Sequence, residues 1–203
     1  MYTGNVVAIR PLEPEDLPVL TKLANDPEAR QLVVGWDWPV SESGQVRWLE
    51  STGTSPATRR LAVIDRQTGQ TIGLTGLWEI DWHNRSALTA VKLDATTAPQ
   101  GAGSDTIMLV NAWAFYEVGL HRLWGSILDF NAASYHAYVR KCGWRLEGIE
   151  RQAIRRVGAW ADLYRVAILR SDFDAHPLAA KYIRMVCPLD PTPFERPDDG
   201  LPR

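Results

Sequence analysis

Along the first half of the chain, apolar residues come in short runs broken by polar turns, and they then switch to helical spacing. Val6-Val7-Ala8-Ile9 leads into Arg10-Pro11-Leu12 as a first short strand. Glu13-Pro14-Glu15-Asp16 joins a proline to acids, as suits a helix N-terminus, and predicts a helix from Leu17 to about Ala24. Gly35-Trp36-Asp37-Trp38-Pro39 is a breaker, after which Ser41 with Gly44-Gln45 opens a second helix carrying Val46, Trp48 and Leu49. The runs 60–65 and 71–78 flank the polar turn 66–70 and predict an antiparallel hairpin; a further strand, 87–93, follows the polar break 81–86. Beyond a glycine-rich turn at 98–105, Ile107, Val110, Ala114 and Phe115, with Trp113 and Val118 beside them, recur at helical spacing. They predict a helix of about four turns ended at Gly119. A strand at 121–128, a helix opened by Asn131 and stopped at Gly143, and strands around 145–156 and 161–169 complete the pattern. Past Ser171 the chain is rich in Pro and Asp, and 188–193 is expected to be extended.

The 203 residues suffice for one domain with a substantial core. Lys plus Arg number 22 against 24 Asp plus Glu, so a net charge of -2 supplies no overall field towards nucleic acid or membrane. Any such contact has to be local. Cys142 and Cys187 stand in different segments with no CxxC or Cys/His spacing, which argues against a zinc site or a disulfide framework and points to a reducing cytoplasm. The N-terminus lacks the pattern of a signal peptide, and no apolar run approaches the roughly 18 residues that span a bilayer, so a cytoplasmic protein is expected. Nine tryptophans stand out. Trp113, Trp124 and Trp144 sit in apolar periodic runs and read as core, whereas Trp36, Trp38, Trp78 and Trp82 lie near loops and strand ends, where amphipathic rings can line a substrate groove.

The most informative piece for chemistry is strand, glycine turn, helix over 87–118. Gly101 and Gly103 let backbone N–H groups converge, and the following helix adds its free donors and positive dipole end, an arrangement able to hold a pyrophosphate. The turn follows antiparallel-looking strands rather than a strand-helix-strand repeat, and no Walker lysine is present, so neither a Rossmann nor a P-loop reading applies. Four stretches, Ile9-Arg10-Pro11-Leu12 with Glu15-Asp16, Asn25-Asp26-Pro27-Glu28, Ile80-Asp81 with Asn84-Arg85, and Gln100-Gly101-Ala102-Gly103, together with Asn131-x-x-Ser134, Lys141-Cys142-Gly143-Trp144 and Leu146-Glu147-Gly148, make a more specific set. On these, residues 5–170 resemble the GNAT acetyltransferases. Within them the chain looks most like the branch containing the ribosomal-protein alanine N-acetyltransferases.

The resemblance implies an α/β GNAT fold: a mixed, mostly antiparallel central sheet splayed between two strands, with helices on both faces. The domain would span 1–170, with 171–203 as a Pro-rich extension. It implies acetyl-CoA or another acyl-CoA as co-substrate, with the pantetheine arm on the backbone of Val91, Lys92 and Leu93 and the pyrophosphate in the turn Gln100-Gly101-Ala102-Gly103-Ser104-Asp105. Asn131 would bond near the pantetheine and Ser134 would lie near the donor sulfur, though both also read as helix caps. The acceptor would be an amine of a small molecule or specialised metabolite, and a homodimer is left open. Direct attack in a ternary complex is expected, since no Cys/His or Ser/His/Asp pairing is visible. Glu79, then Asp81, with His83 beside them, are the candidate bases, following a strand end next to Trp78 and Trp82.

Some positions depart from the family pattern. Ala102 and Asp105 replace the usual basic and small residues of the turn; Asp105 either opposes a pyrophosphate or caps the helix. Between Asn131 and Gly143 there is one residue more than usual, so the assignment of Ser134 could slip by one and the family's proton-donating tyrosine falls at Val139, leaving neighbouring Tyr138 or Tyr135 as imperfect substitutes. Ile154-Arg155-Arg156 stands where the ribosomal-protein enzymes place an acid, which points away from a ribosomal acceptor. Two alternatives therefore stay open: a transferase with another activated donor such as an aminoacyl-tRNA, held by Arg140, Lys141, Arg151, Arg155 and Arg156, or a catalytically silent ligand-binding domain.

Overall fold

A computed structural model describes residues 1–51 and 54–188. Eight strands form one sheet: β1 (Tyr2–Thr3), β2 (Val7–Pro11), β3 (Arg59–Asp65), β4 (Thr71–Asp81), β5 (Ser86–Leu93), β6 (Arg122–Leu128), β7 (Arg145–Arg156) and β8 (Ala159–Leu169). Their order is β1-β2-β3-β4-β5-β6-β8-β7, antiparallel throughout except for β5 with β6. The helices are α1 (Leu17–Asn25), α2 (Pro27–Leu32), α3 (Glu42–Glu50), α4 (Ala102–Tyr116), α5 (Ala132–Tyr135), α6 (Arg170–Asp174) and α7 (Ala179–Val186), with a π-helical segment His136–Lys141 continuing α5. None is long and apolar enough to cross a membrane among the described residues.

Strand alternation assigns the faces. Leu61, Val63, Leu77 and Ala87 point to the side of α4, which is buried along nearly its whole length. Arg60 points the other way and stacks on Trp48 of α3. Helices therefore cover both faces. The sheet splits at its one parallel pair. β5 bonds to β6 only at Ser86–Leu88 with Arg122–Trp124, while β5 continues against β4 to Leu93 and β6 against β8 to Leu128. The two halves thus diverge beyond Leu88 and Trp124.

Four helices or strands had no counterpart among the elements expected from the sequence, namely β1, α2, α6 and α7. Helix α2 is started by Asp26, whose carboxylate accepts from the N–H groups of Glu28 and Ala29, with Pro27 as first helical residue. The segment past residue 170 also differs from a separate extension. Phe173, Ala179, Tyr182 and Val186 are buried in the core that holds α4, so residues 170–186 belong to the domain. Of the expected extended stretch 188–193, all but Pro188 lies outside the described residues.

Asp105 requires a correction. It sits in the first turn of α4, but its side chain turns away from the glycine turn towards the N-terminal segment. There it accepts hydrogen bonds from the backbone N–H groups of Asn5 (3.1 Å), Val6 (2.8 Å) and Val7 (3.0 Å), from the Asn5 amide (3.0 Å) and from the Tyr182 hydroxyl of α7 (2.6 Å). These bonds fasten β2 and α7 to α4. Gly4 is part of this arrangement, because a Cβ at that position would lie 2.5 Å from an Asp105 oxygen. Gly4→Ala is accordingly expected to destabilise the fold by about 1–3 kcal/mol, read as a lowered urea midpoint with unchanged m value.

Candidate active site

A cavity of about 970 Å³ opens where β5 and β6 diverge, and its wall includes Leu88 to Leu93 of β5, Trp124 to Ile127 of β6, Gly103 of α4, and Ser134, Ala137 and Tyr138. At one end stands the glycine turn. Gly101 has φ 89°, a left-handed conformation that L side chains seldom adopt, and so sets the entry into α4. A Cβ at Gly103 would meet no protein atom within 4 Å, so nothing inside the protein requires a glycine there. The N–H groups of Gly103 and Ser104 have no backbone acceptor among the described residues. Free donors, the dipole of a 15-residue helix and open space in front suit a phosphate. The Ala102 side chain is buried in the core, the Ser104 carbonyl accepts from the Cys142 thiol, and Gln100 is exposed. From Gln100 and Ala102, only backbone or surface groups can face a ligand.

Tyr138 comes from the π-helical segment. An extra residue in an α-helix is accommodated by one turn of wider i to i+5 bonding, seen here in Cys142 N–H to the Ala137 carbonyl at 3.1 Å. This turn absorbs the insertion between Asn131 and Gly143, and it is Tyr138, not Val139, that lines the cavity. Its ring packs edge-on against Trp144, centroids 4.9 Å apart, and its buried hydroxyl has no partner in full hydrogen-bonding geometry, although the Val91 backbone is near enough to act on it. Burial pushes the phenol pKa far up, with the nearby Cys142 adding to the rise and the Val91 backbone acting the other way. Asn131 caps α5 by accepting from the Ser134 N–H at 3.0 Å, while its amide donates to the Leu32 carbonyl of α2 at 3.3 Å. Asn131 and Ser134 both lie on the cavity wall.

The two carboxylate candidates separate. β4 bulges between Trp78 and Asp81, and Glu79 within the bulge takes φ 51°, which brings it to the cavity mouth with no hydrogen-bond or ion-pair partner among the described residues. Asp81 instead accepts from the Asn84 N–H (2.8 Å) and side-chain amide (2.6 Å), closing the β4–β5 turn outside the cavity. Those bonds hold its pKa below the usual range, and Asp81 is not among the residues that line the cavity.

The tryptophans separate in the same way. Trp36 and Trp78 line the cavity, whereas Trp38 is 81% exposed and Trp82, donating to the Pro56 carbonyl, is 50% exposed; neither reaches it. The Trp36 loop is pinned by Arg30, which donates to the Trp36 and Asp37 carbonyls, and by Arg156, which pairs with Asp37 at 3.2 Å and donates to the Val33 carbonyl. Lys92 lies beneath this loop. Its ammonium sits 4.6 Å from the centre of the Trp36 ring and 5.5 Å from that of Trp78, and burial, aided by the charge of Arg60, pushes its pKa down to about 8.

Sequence reasoning missed the cavity floor. Arg165 of β8 stacks on Trp124 (5.7 Å), donates to Ser126 (2.6 Å) and pairs with Glu150 of β7 (2.7 Å). Only the register β6-β8-β7 brings these residues together, so no local motif marks them.

Comparisons with known proteins accord with this geometry. Residues 7–145 match the acetyltransferase (GNAT) domain family. A spermidine N-acetyltransferase of Vibrio cholerae, solved with CoA and spermine, superposes with a TM-score of 0.75 at 26% identity, covering 82% of this chain and 96% of that one. A GCN5-related N-acetyltransferase of Brucella melitensis, 22% identical with a TM-score of 0.71 over 92% of this chain and 85% of its own, shares the fold. A probable N-acetyltransferase of Bacillus subtilis, YjcK, is 31% identical over 88 residues, 43% of this chain and 48% of its own; the chain spans about half the length of that curated relative.

Proposed function

The chain belongs to the GNAT acetyltransferase family, and from that premise we propose that it is an N-acyltransferase that moves an acetyl group from acetyl-CoA to an amine by direct attack in a ternary complex. One observation carries the reading: the splayed strands open a single cavity that has free backbone donors at the α4 N-terminus and an unpartnered tyrosine hydroxyl on its wall. Acetyl-CoA, when bound, supplies the activated thioester. The backbone of Val91, Lys92 and Leu93, on the β5 edge that β6 leaves unpaired, would take the pantetheine arm, and the N–H groups of Gly103 and Ser104 would hold the pyrophosphate. Asn131 and Ser134 line the same wall beside them. Tyr138 keeps a proton at its Oη for the sulfur that leaves, and Glu79, with its carboxylate free, takes the proton of the incoming ammonium, directly or through water. The motifs resembling the ribosomal-protein branch and the spermidine-acetylating neighbours agree on an amine acceptor and differ on which one, so its class has to come from the site.

Gly103→Ala tests the cradle. The added methyl meets no protein atom and improves helix propensity, so stability should hold or rise by up to about 1 kcal/mol. In the same variant, acetyl-CoA affinity measured by titration calorimetry should fall by about tenfold or more, as the methyl lifts the phosphates off their N–H donors. Undiminished affinity would remove the turn from the site, and absence of binding by the native protein would point to another activated donor such as an aminoacyl-tRNA.

A further inference from the structure

Two cations on one face of the sheet, Lys92 beneath the Trp36 loop and Arg60 beside Trp48 of α3, have no counterion among the described residues. Lys92 and Arg60 point to the same face of the sheet: Ala62, Leu74 and Lys92 form one row across β3, β4 and β5, and Arg60, Gly76 and Ala90 form the next row on that face. Arg60 lies 4.6 Å over the Trp48 ring with its Nε buried and unpartnered, and Lys92 lies over Trp36 and Trp78. Among the described residues no carboxylate comes within ion-pair distance of either. The contrast with Arg165 is direct, since on the same cavity wall it is paired with Glu150 and bonded to Ser126. A desolvated cation without a counterion is costly, and a ligand anion at that position relieves the cost.

Geometry identifies which ligand. Val91 and Leu93 pack towards α4, on the side of the glycine turn and Tyr138, whereas Lys92 reaches to the opposite face between Trp36 and Trp78. Phosphates held at the start of α4 are not the anion it meets. We infer that the acceptor carries a carboxylate beside its reacting amine, gripped by Lys92 with Arg60 behind it, so that the acceptor class is an α-amino acid and not a polyamine. This rests on the acyl-transfer reading above. The carboxylate lies against the Lys92 ammonium and the indole walls, and the amine is directed towards Glu79 and the splay. An ammonium of a polyamine placed against Lys92 meets like charge.

The test uses matched acceptors that differ by one carboxylate, namely phenylalanine against phenethylamine, arginine against agmatine and ornithine against putrescine, with spermidine added. They are run with the native enzyme and Lys92→Met. The substitution keeps the apolar stem, and the member of each pair that lacks the carboxylate serves as the internal control. The native enzyme should favour the carboxylated member of at least one pair by about tenfold or more in kcat/KM, and Lys92→Met should erase that preference through KM of the carboxylated member, with the kcat/KM ratio within each pair as the readout. Equal or better turnover of spermidine or the decarboxylated amines overturns the inference. Should acetyl-CoA bind but no amine be acetylated, the acyl-transfer reading fails separately. Thermal stabilisation by these compounds then decides: a Lys92-dependent shift with the carboxylated members supports the anion site, and no such shift overturns it.

Discussion

Replacing Tyr138 by phenylalanine is expected to lower kcat by about 10²- to 10⁴-fold, the range usual for loss of a positioned proton donor, while leaving the protein as stable as before or slightly more so. The opposite signs follow from one atom. The hydroxyl is buried without a hydrogen-bond partner, an arrangement that costs a folded protein about 1–3 kcal/mol, and its removal relieves that cost. The ring, edge-on to Trp144 at 4.9 Å, stays in place. A residue kept for packing alone would show an unchanged rate, since phenylalanine keeps the ring against Trp144. Because burial raises the phenol pKa, the group remains protonated through the neutral range, and any alkaline limb of the rate profile should persist in Tyr138→Phe. Single-turnover transfer at saturating acetyl-CoA, paired with urea unfolding, measures both quantities. An unchanged rate would remove Tyr138 from the chemistry.

The same residue shows how far the sequence could be read. The hairpin of β3 and β4, the strand β5, the helix α4 and the return strand β6 follow from apolar spacing and turn residues, and the splay follows from the family resemblance they support. A one-residue insertion in the segment after Asn131 was visible too. Whether it is absorbed in a loop or in a wider helical turn depends on what the neighbouring faces pack against, and that choice decides between Tyr138 and Val139. Lys92 reads locally as an outward residue in the alternation of Val91-Lys92-Leu93; it becomes a buried cation only because Trp36, about fifty-five residues earlier, is pinned over it by Arg30 and Arg156. In the tail, the spacing of Ala179, Tyr182 and Val186 marks a buried helical face, but prolines and aspartates on either side conceal it, and its partner, α4, is far away in sequence. Local patterns specify elements, whereas the site is made by register and by long-range fastening.

Asp105 gives the largest expected stability effect, and it separates fastening from ligand binding. Asp105→Ala strands the N–H groups of Asn5, Val6 and Val7 and the Tyr182 hydroxyl around a buried void, which should cost about 3–5 kcal/mol at neutral pH. Asp105→Asn should lose nearly as much, because an amide turns an N–H donor towards donors. The effect depends on pH. Burial alone pushes the carboxyl pKa up, but the bonds from Tyr182, Val6, Val7 and Asn5 outweigh it and hold the pKa below its ordinary value. A carboxylate whose folded pKa is depressed stabilises the fold fully above its unfolded pKa of about 3.9 and loses that contribution as pH falls through the folded value. The gap between the native protein and Asp105→Ala, measured by urea unfolding, should therefore be widest near pH 7 and narrow in acid below about pH 4. Acetyl-CoA affinity of the folded fraction should be unchanged, since the side chain faces β2 and α7 and not the glycine turn. An affinity that rises in the variant would instead mean that the carboxylate acts on the phosphates across the first turn of α4.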